Sequence, residues 1–265
     1  MVREFKTSNS WAVILGGSSG LGLASALKLA RQGMNICIVH RNSRAEIPEI
    51  EADFNLIRAE DVELLTFNAD VIKQETRDIV TSALLKKLGK HGKVKCLLHS
   101  IAKGNLKAMV NDTKPVLELN DFLLTLQNMA ISLSEWTKDL YNTKLFAADA
   151  RIISFTSEGS SKAWKHYAAV SAAKAALEAI TRNIALEYAA FGIRANCIQA
   201  GVTNTASLKR IPGSDQLIEY SIQRNPFKRL TTPADIANMV YLLCKDEAAW
   251  INGAIIPVDG GEHIS

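Results

Sequence analysis

Apolar residues fall in short, nearly unbroken runs separated by longer amphipathic stretches. Trp11–Leu15, Asn35–Val39, Val62–Phe67, Lys95–His99, Arg151–Phe155, Ile193–Ile198 and Ala254–Val258 have strand length. Most lack polar alternate positions, the mark of strands covered on both faces. Between them, Leu23–Gln32, Glu46–Glu60, Thr76–Leu88, Glu118–Tyr141, Tyr167–Tyr188 and Pro233–Cys244 read as helices. Gly33 and Gly89 close two of these, and Pro48 and Pro233 sit in first turns, where a missing N–H costs nothing. Leu208–Arg229, which holds Pro212, Gly213 and Pro226, reads as irregular. Regular alternation with right-handed crossovers predicts an α/β doubly wound, parallel sheet of about seven strands with helices on both faces and ligands at the C-terminal strand edge. No linker divides the chain, so one domain is expected over residues 1–265.

The connection after the first strand sharpens this to a Rossmann fold. Gly16-Gly17-Ser18-Ser19-Gly20-Leu21-Gly22 joins strand to helix. Bare backbone there lets a pyrophosphate approach the free N–H groups and partial positive charge of the helix N-terminus. The second strand ends in Val39-His40-Arg41-Asn42-Ser43-Arg44, with no carboxylate before Glu46. NAD-dependent folds place Asp or Glu here for the ribose 2′-OH, whereas Arg41 suits a 2′-phosphate, so NADP(H) is the expected cofactor. Asp70, after the third strand, is placed to accept from the adenine amino group, although turn polarity explains it almost as well.

Tyr167 and Lys174 lie seven residues apart in an Ala-rich stretch free of Gly and Pro. On a helix both leave from one face. A neighbouring ammonium favours the phenolate and would make the phenol a better acid near neutral pH.

Composition excludes several functions. The chain has 265 residues, 48% of them hydrophobic, and a formal net charge of +4. That charge tolerates acidic substrates but does not point to nucleic acid. The basic run Lys86, Lys87, Lys90, His91, Lys93 and Lys95 lacks interleaved aromatics and reads as a solvated turn. No apolar run reaches membrane-spanning length and no signal-peptide core is present, so a cytoplasmic protein is expected. Cys37, Cys96, Cys197 and Cys244 have no metal-ligand or redox spacing and read as reduced thiols, and no metal site is expected.

Together these residues resemble the short-chain dehydrogenase/reductase family over Gly16–Gly261. The resemblance is carried by the glycine loop, Asn68-Ala69-Asp70-Val71, a Ser ahead of the Tyr/Lys stretch, the Tyr and Lys, and Val258-Asp259-Gly260-Gly261. Most members place Tyr four residues before Lys; here that position is Val170. The wider spacing, with His99-Ser100-Ile101-Ala102 after the fourth strand, is similar to the enoyl-acyl carrier protein reductase branch. The ordinary glycine loop is similar to its NADPH-preferring minority type.

The resemblance implies NADPH-dependent reduction of a trans-2-enoyl thioester, carried on acyl carrier protein or CoA, in fatty acid synthesis by a homotetramer. Tyr167, Lys174 and Ser157 would be catalytic. Gly16, Ser18, Ser19, Gly20, Leu21, Gly22, Arg41, Asp70, Val71, Ser100, Ile101, Ala102, Lys174, Gly201, Thr203 and Thr205 would bind the cofactor, with the carboxamide on backbone near Val202 or Thr203. Asn128 matches a site Asn of ordinary members and reads equally as a helix-surface amide. Residues 205–230 would form a substrate lid, with Leu208, Ile211, Leu217 and Ile222 lining an acyl channel or filling core. Lys209, Arg210, Arg224, Lys228 and Arg229 would give the lid a basic, solvated face or a dock for an acidic carrier. Two alternatives stand: reduction of a ketone, 3-ketoacyl thioester or quinone, which Val170 disfavours, and a non-catalytic NADP-binding sensor or scaffold, for which Tyr167 would be dispensable.

Overall fold

A computed structural model describes residues 3–89, 91–211 and 213–265; Lys90 of the basic run and Pro212 of the lid lie outside the described residues. Among them, seven parallel strands form one sheet in the order β3-β2-β1-β4-β5-β6-β7. The strands are β1 (Ser10–Leu15), β2 (Asn35–His40), β3 (Leu64–Asn68), β4 (Lys93–His99), β5 (Phe146–Ser157), β6 (Ile193–Ala200) and β7 (Ile255–Val258). The order reverses between β1 and β4, so the crevice at the C-terminal end of the sheet opens beside β1.

Helices α1 (Gly20–Arg31), α2 (Ile47–Arg58) and α8 (Pro233–Cys244) cover one face. Helices α3 (Gln74–Leu88), α4 (Leu119–Leu126), α5 (Ser132–Asn142) and α6 (Ala168–Glu187) belong to the other. Two apolar layers result, one holding Leu15, Val39, Trp136 and Leu177, the other Ile14, Ile38, Phe54 and Val240. Alternate residues of one strand thus feed opposite layers, as the unbroken apolar runs require.

Three elements differ from the sequence reading. The long helix expected over Glu118–Tyr141 is interrupted by a π turn at Gln127–Ile131. Ser132 Oγ donates to Asn128 O at 2.7 Å within that turn. The irregular stretch after β6 contains an eleven-residue helix, α7 (Ser214–Arg224). Tyr167 lies just outside α6 as its N-cap, after His166 in the left-handed conformation (φ 63). The cysteines are buried and free. No helix among the described residues is long and apolar enough to cross a membrane.

Candidate active site

The loop between β1 and α1 is held by close backbone contact. Gly16 has φ 83, and a Cβ there would lie 2.5 Å from Ser100 O. Gly22 packs beneath it, where a Cβ would meet Gly16 O at 2.2 Å. Any larger residue would push α1 away from the sheet. Ser19 precedes α1 in an extended conformation without a side-chain cap, and the first turn carries no acidic residue. The helix therefore offers free amides and a positive dipole end to an anion.

That loop opens into a cavity of about 630 Å³ at the C-terminal ends of β1, β4, β5 and β6. Every predicted site residue lines it except Gly22: the loop residues Gly16 to Leu21 other than Gly17, then Arg41, Asp70, Val71, Ser100, Ile101, Ala102, Ser157, Tyr167, Lys174, Gly201, Thr203 and Thr205. Gly22 serves by packing rather than by facing a ligand. Thr205 sits across from Gly20, spanning the loop. These groups fit a dinucleotide.

Arg41 and Asp70 meet each other. Arg41 Nη1 donates to Asp70 Oδ2 at 2.6 Å, with the arginine side chain 60% exposed and the carboxylate 15%. The exposed guanidinium can turn towards a 2′-phosphate only by sharing or leaving Asp70. Similarly, the Val202 N–H is donated to Glu262 Oε2 at 3.2 Å, so it is not open to a carboxamide. The Thr203 hydroxyl donates to Gly201 O.

Tyr167 is 8% exposed, its ring 5.1 Å from that of Trp164. Burial raises its pKa, partly opposed by the Ser157 hydroxyl. Ser157 Oγ is itself buried without a well-formed hydrogen bond among the described residues, which leaves it available to a substrate oxygen. Lys174 does not depress the phenol as anticipated. Its ammonium instead donates to Phe155 O at 2.6 Å. Burial lowers Lys174 to about 8, against the opposing influence of Cys197 and Glu178. Tyr167 stands at the N-cap of α6 rather than within it, and both it and Lys174 line the cavity.

His99, at the end of β4, donates or accepts at 2.8 Å with Ser132 Oγ. Because the Ser132 proton goes to Asn128 O, the serine accepts and His99 carries its proton on Nε2. Burial, aided by the Lys174 charge, lowers His99 to about 3, so the ring is neutral at working pH. Asn128 is buried in the π turn and lines the cavity, with Nδ2 on Leu124 O at 2.8 Å. It is not the surface amide that helix periodicity allowed.

Of the proposed acyl-channel residues, Leu208, Ile211 and Leu217 line the cavity, whereas Ile222 is 36% exposed and does not. The lid's basic face is also revised. Arg224 is half-buried between Glu158 and Glu262, and Arg229 pairs with Asp235. The Arg210 side chain lies outside the described residues. Sequence reasoning missed Glu158, Arg224 and Glu262 as cavity residues.

A doubly wound sheet with this glycine loop, Ser, Tyr and Lys around one cavity defines a short-chain dehydrogenase/reductase. The sequence profile described as enoyl-(acyl carrier protein) reductase matches residues 16–263, and the chain belongs to that family. The NADH enoyl-[acyl-carrier-protein] reductase FabI of Enterococcus faecalis is 30% identical, covering 92% of each chain. Levodione reductase of Leifsonia aquatica is 27% identical, covering 94% of this chain and 92% of its own. The crystal structure of the NADH enoyl-[acyl-carrier-protein] reductase of Aquifex aeolicus superposes with a TM-score of 0.84 at 25% identity over 97% of both chains. The chain is thus an oxidoreductase of a nicotinamide-dependent family.

Proposed function

We propose that the protein is an NADPH-dependent enoyl thioester reductase acting in fatty acid synthesis. The observation that carries this reading is the pairing of Tyr167 with Ser157 in the cavity, together with Val170 at the position four residues before Lys174. Val170 has no proton to donate to a ketone oxygen. NADPH, when bound, would supply hydride to the β-carbon of a trans-2-enoyl thioester, and a solvent proton added at the α-carbon would complete the saturated product. Negative charge then grows on the thioester oxygen, and preorganised donors are worth most there. The Tyr167 hydroxyl donates to that oxygen, with the Ser157 hydroxyl beside it. The raised phenol pKa keeps the proton on Tyr167 until the charge develops. Lys174, whose ammonium donates to Phe155 O, would orient the ribose of the bound cofactor. Ile101, Leu106, Met129, Trp164 and Leu208 offer the acyl chain an apolar wall.

The preference for NADPH rests on Arg41 and on the lack of a carboxylate at the end of β2. The homotetramer rests on family likeness and on Leu123, Ile131, Leu186 and Phe191, which are exposed on or beside α4 to α6. Gel filtration tests it. Adding crotonyl-CoA or a crotonyl carrier-protein thioester to protein and NADPH, and following loss of reduced cofactor absorbance, tests the activity. No oxidation with either thioester contradicts the proposal, and faster turnover of 3-ketoacyl thioesters favours the ketone reading.

A further inference from the structure

Helix α7 lines the cavity with Leu217 and ends on a charged side chain that also faces it. Arg224, its last residue, is 13% exposed and donates from Nη2 to Glu158 Oε2 at 2.5 Å and to Glu262 Oε1 at 3.0 Å. Nη1 adds a longer contact to Glu158 Oε1 at 3.4 Å. Lys162 also pairs with Glu158, so two cations meet two carboxylates. All three of Arg224, Glu158 and Glu262 line the cavity.

Each carboxylate belongs to a different wall. Glu158 follows Ser157 and precedes Gly159, which lies against the Tyr167 ring. Glu262 is 2% exposed and holds the Val202 N–H in the segment after β6. Arg224 therefore ties the helix that carries Leu217 to the tyrosine side of the cavity and to the Val202 side at once. Buried ion clusters of this kind contribute little net stability compared with apolar packing. What apolar packing could not supply is a directional, two-point fix. Arg224 Nε is buried without a hydrogen-bond partner among the described residues, so the guanidinium is committed to the two carboxylates through its outer nitrogens alone.

We propose that Arg224 is a positioning residue. Through Glu158 and Glu262 it latches α7 over the substrate half of the cavity, so that seating the acyl thioester and aligning Tyr167 depend on one closed arrangement. The substrate part rests on the reductase reading above; the latch itself does not.

The test compares wild type, Arg224→Ala, Arg224→Lys and Glu158→Gln in the full chain with NADPH and crotonyl-CoA, beside trypsin cleavage after the exposed Lys209. If the latch sets the competent fraction, apparent affinity falls in proportion to it. Arg224→Ala should then raise KM about tenfold while kcat changes by less than about threefold, and Lys209 cleavage should speed up by a similar factor. Arg224→Lys should recover part of both, and Arg224→Ala combined with Glu158→Gln should be no worse than Arg224→Ala. Wild-type KM and cleavage rate in Arg224→Ala overturn the proposal. So does a loss of melting temperature and NADPH affinity together, with no change in the KM-to-kcat pattern. Should Arg224→Ala not fold, wild-type behaviour of both Arg224→Lys and Glu158→Gln overturns it equally. If wild type turns over no enoyl thioester, the reductase reading fails and the cleavage rates alone decide the latch.

Discussion

Gly159 leaves room for the Tyr167 ring, and filling that room should separate alignment from binding. A Cβ at Gly159 would lie 2.6 Å from Tyr167 Cε1, 3.1 Å from its Cδ1 and 3.3 Å from Trp164 Cζ3. Carbon atoms pack at about 3.5–4.0 Å. Gly159→Ala therefore requires the phenol ring to retreat by on the order of 1 Å, because Trp164 restricts the other side. Gly159 does not occupy the left-handed region, so alanine adopts its backbone without strain. Overpacking of this size costs about 1–3 kcal/mol of stability, and a catalytic group misplaced by about 1 Å loses roughly 100-fold in rate. Steady-state kinetics with NADPH and crotonyl-CoA should show kcat falling about 100-fold. NADPH affinity, read by cofactor fluorescence, should be unchanged, since the glycine loop is untouched. Adding Tyr167→Phe should then cost little more. Wild-type kcat in a folded Gly159→Ala protein refutes the reasoning, because the ring would have no part in the rate.

Two further predictions concern charge. Arg41→Ala removes the cation expected at the 2′-phosphate. Charge-assisted hydrogen bonds contribute about 1.5–3 kcal/mol, so NADPH affinity should fall about 10- to 100-fold. NADH affinity should not fall, and an unchanged ratio of the two, by titration, removes the case for NADPH. Lys174, lowered to about 8 by burial, is protonated below that pH and loses its proton as pH rises through it. Since kcat/KM reports the free enzyme, it should decline above pH 8, and Lys174→Arg, which stays charged, should shift that decline upward. A profile in which Lys174→Arg follows wild type shows that the lysine does not set the limb.

Much of this site was legible because its parts are local. A glycine loop between a strand and a helix, or a carboxylate-free β2 end, can be read within a few residues. All seven strands lie where unbroken apolar runs put them, with ends moved by a few residues. What escaped the sequence depends on distant partners or on departures from regular periods. Arg224 looked like surface charge because its acceptors lie 66 and 38 residues away. The π turn keeps a helical composition while changing which side chains face inward, so helix periodicity alone does not place Asn128 at site or surface. Tyr167 has helical neighbours on one side only, so it caps α6 instead of lying within it. Arg41 and Asp70 were each given a cofactor role separately, and only the fold shows that they meet. The Arg41–Asp70 pair has a general cause: a motif specifies residue types, whereas the hydrogen bonds already made within the protein decide which atoms are free.

Where the transferred hydrogen lands distinguishes enoyl reduction from every other reading of the site. With NADPH deuterated at the transferable position of the nicotinamide and crotonyl-CoA or a crotonyl carrier-protein thioester as acceptor, the butyryl product is analysed by mass spectrometry and NMR. Deuterium should lie on the β-carbon, with the product lost or slowed at least about 100-fold in Tyr167→Phe. Absence of butyryl product with both thioesters, deuterium on the α-carbon instead of the β-carbon, or full activity in Tyr167→Phe contradicts it.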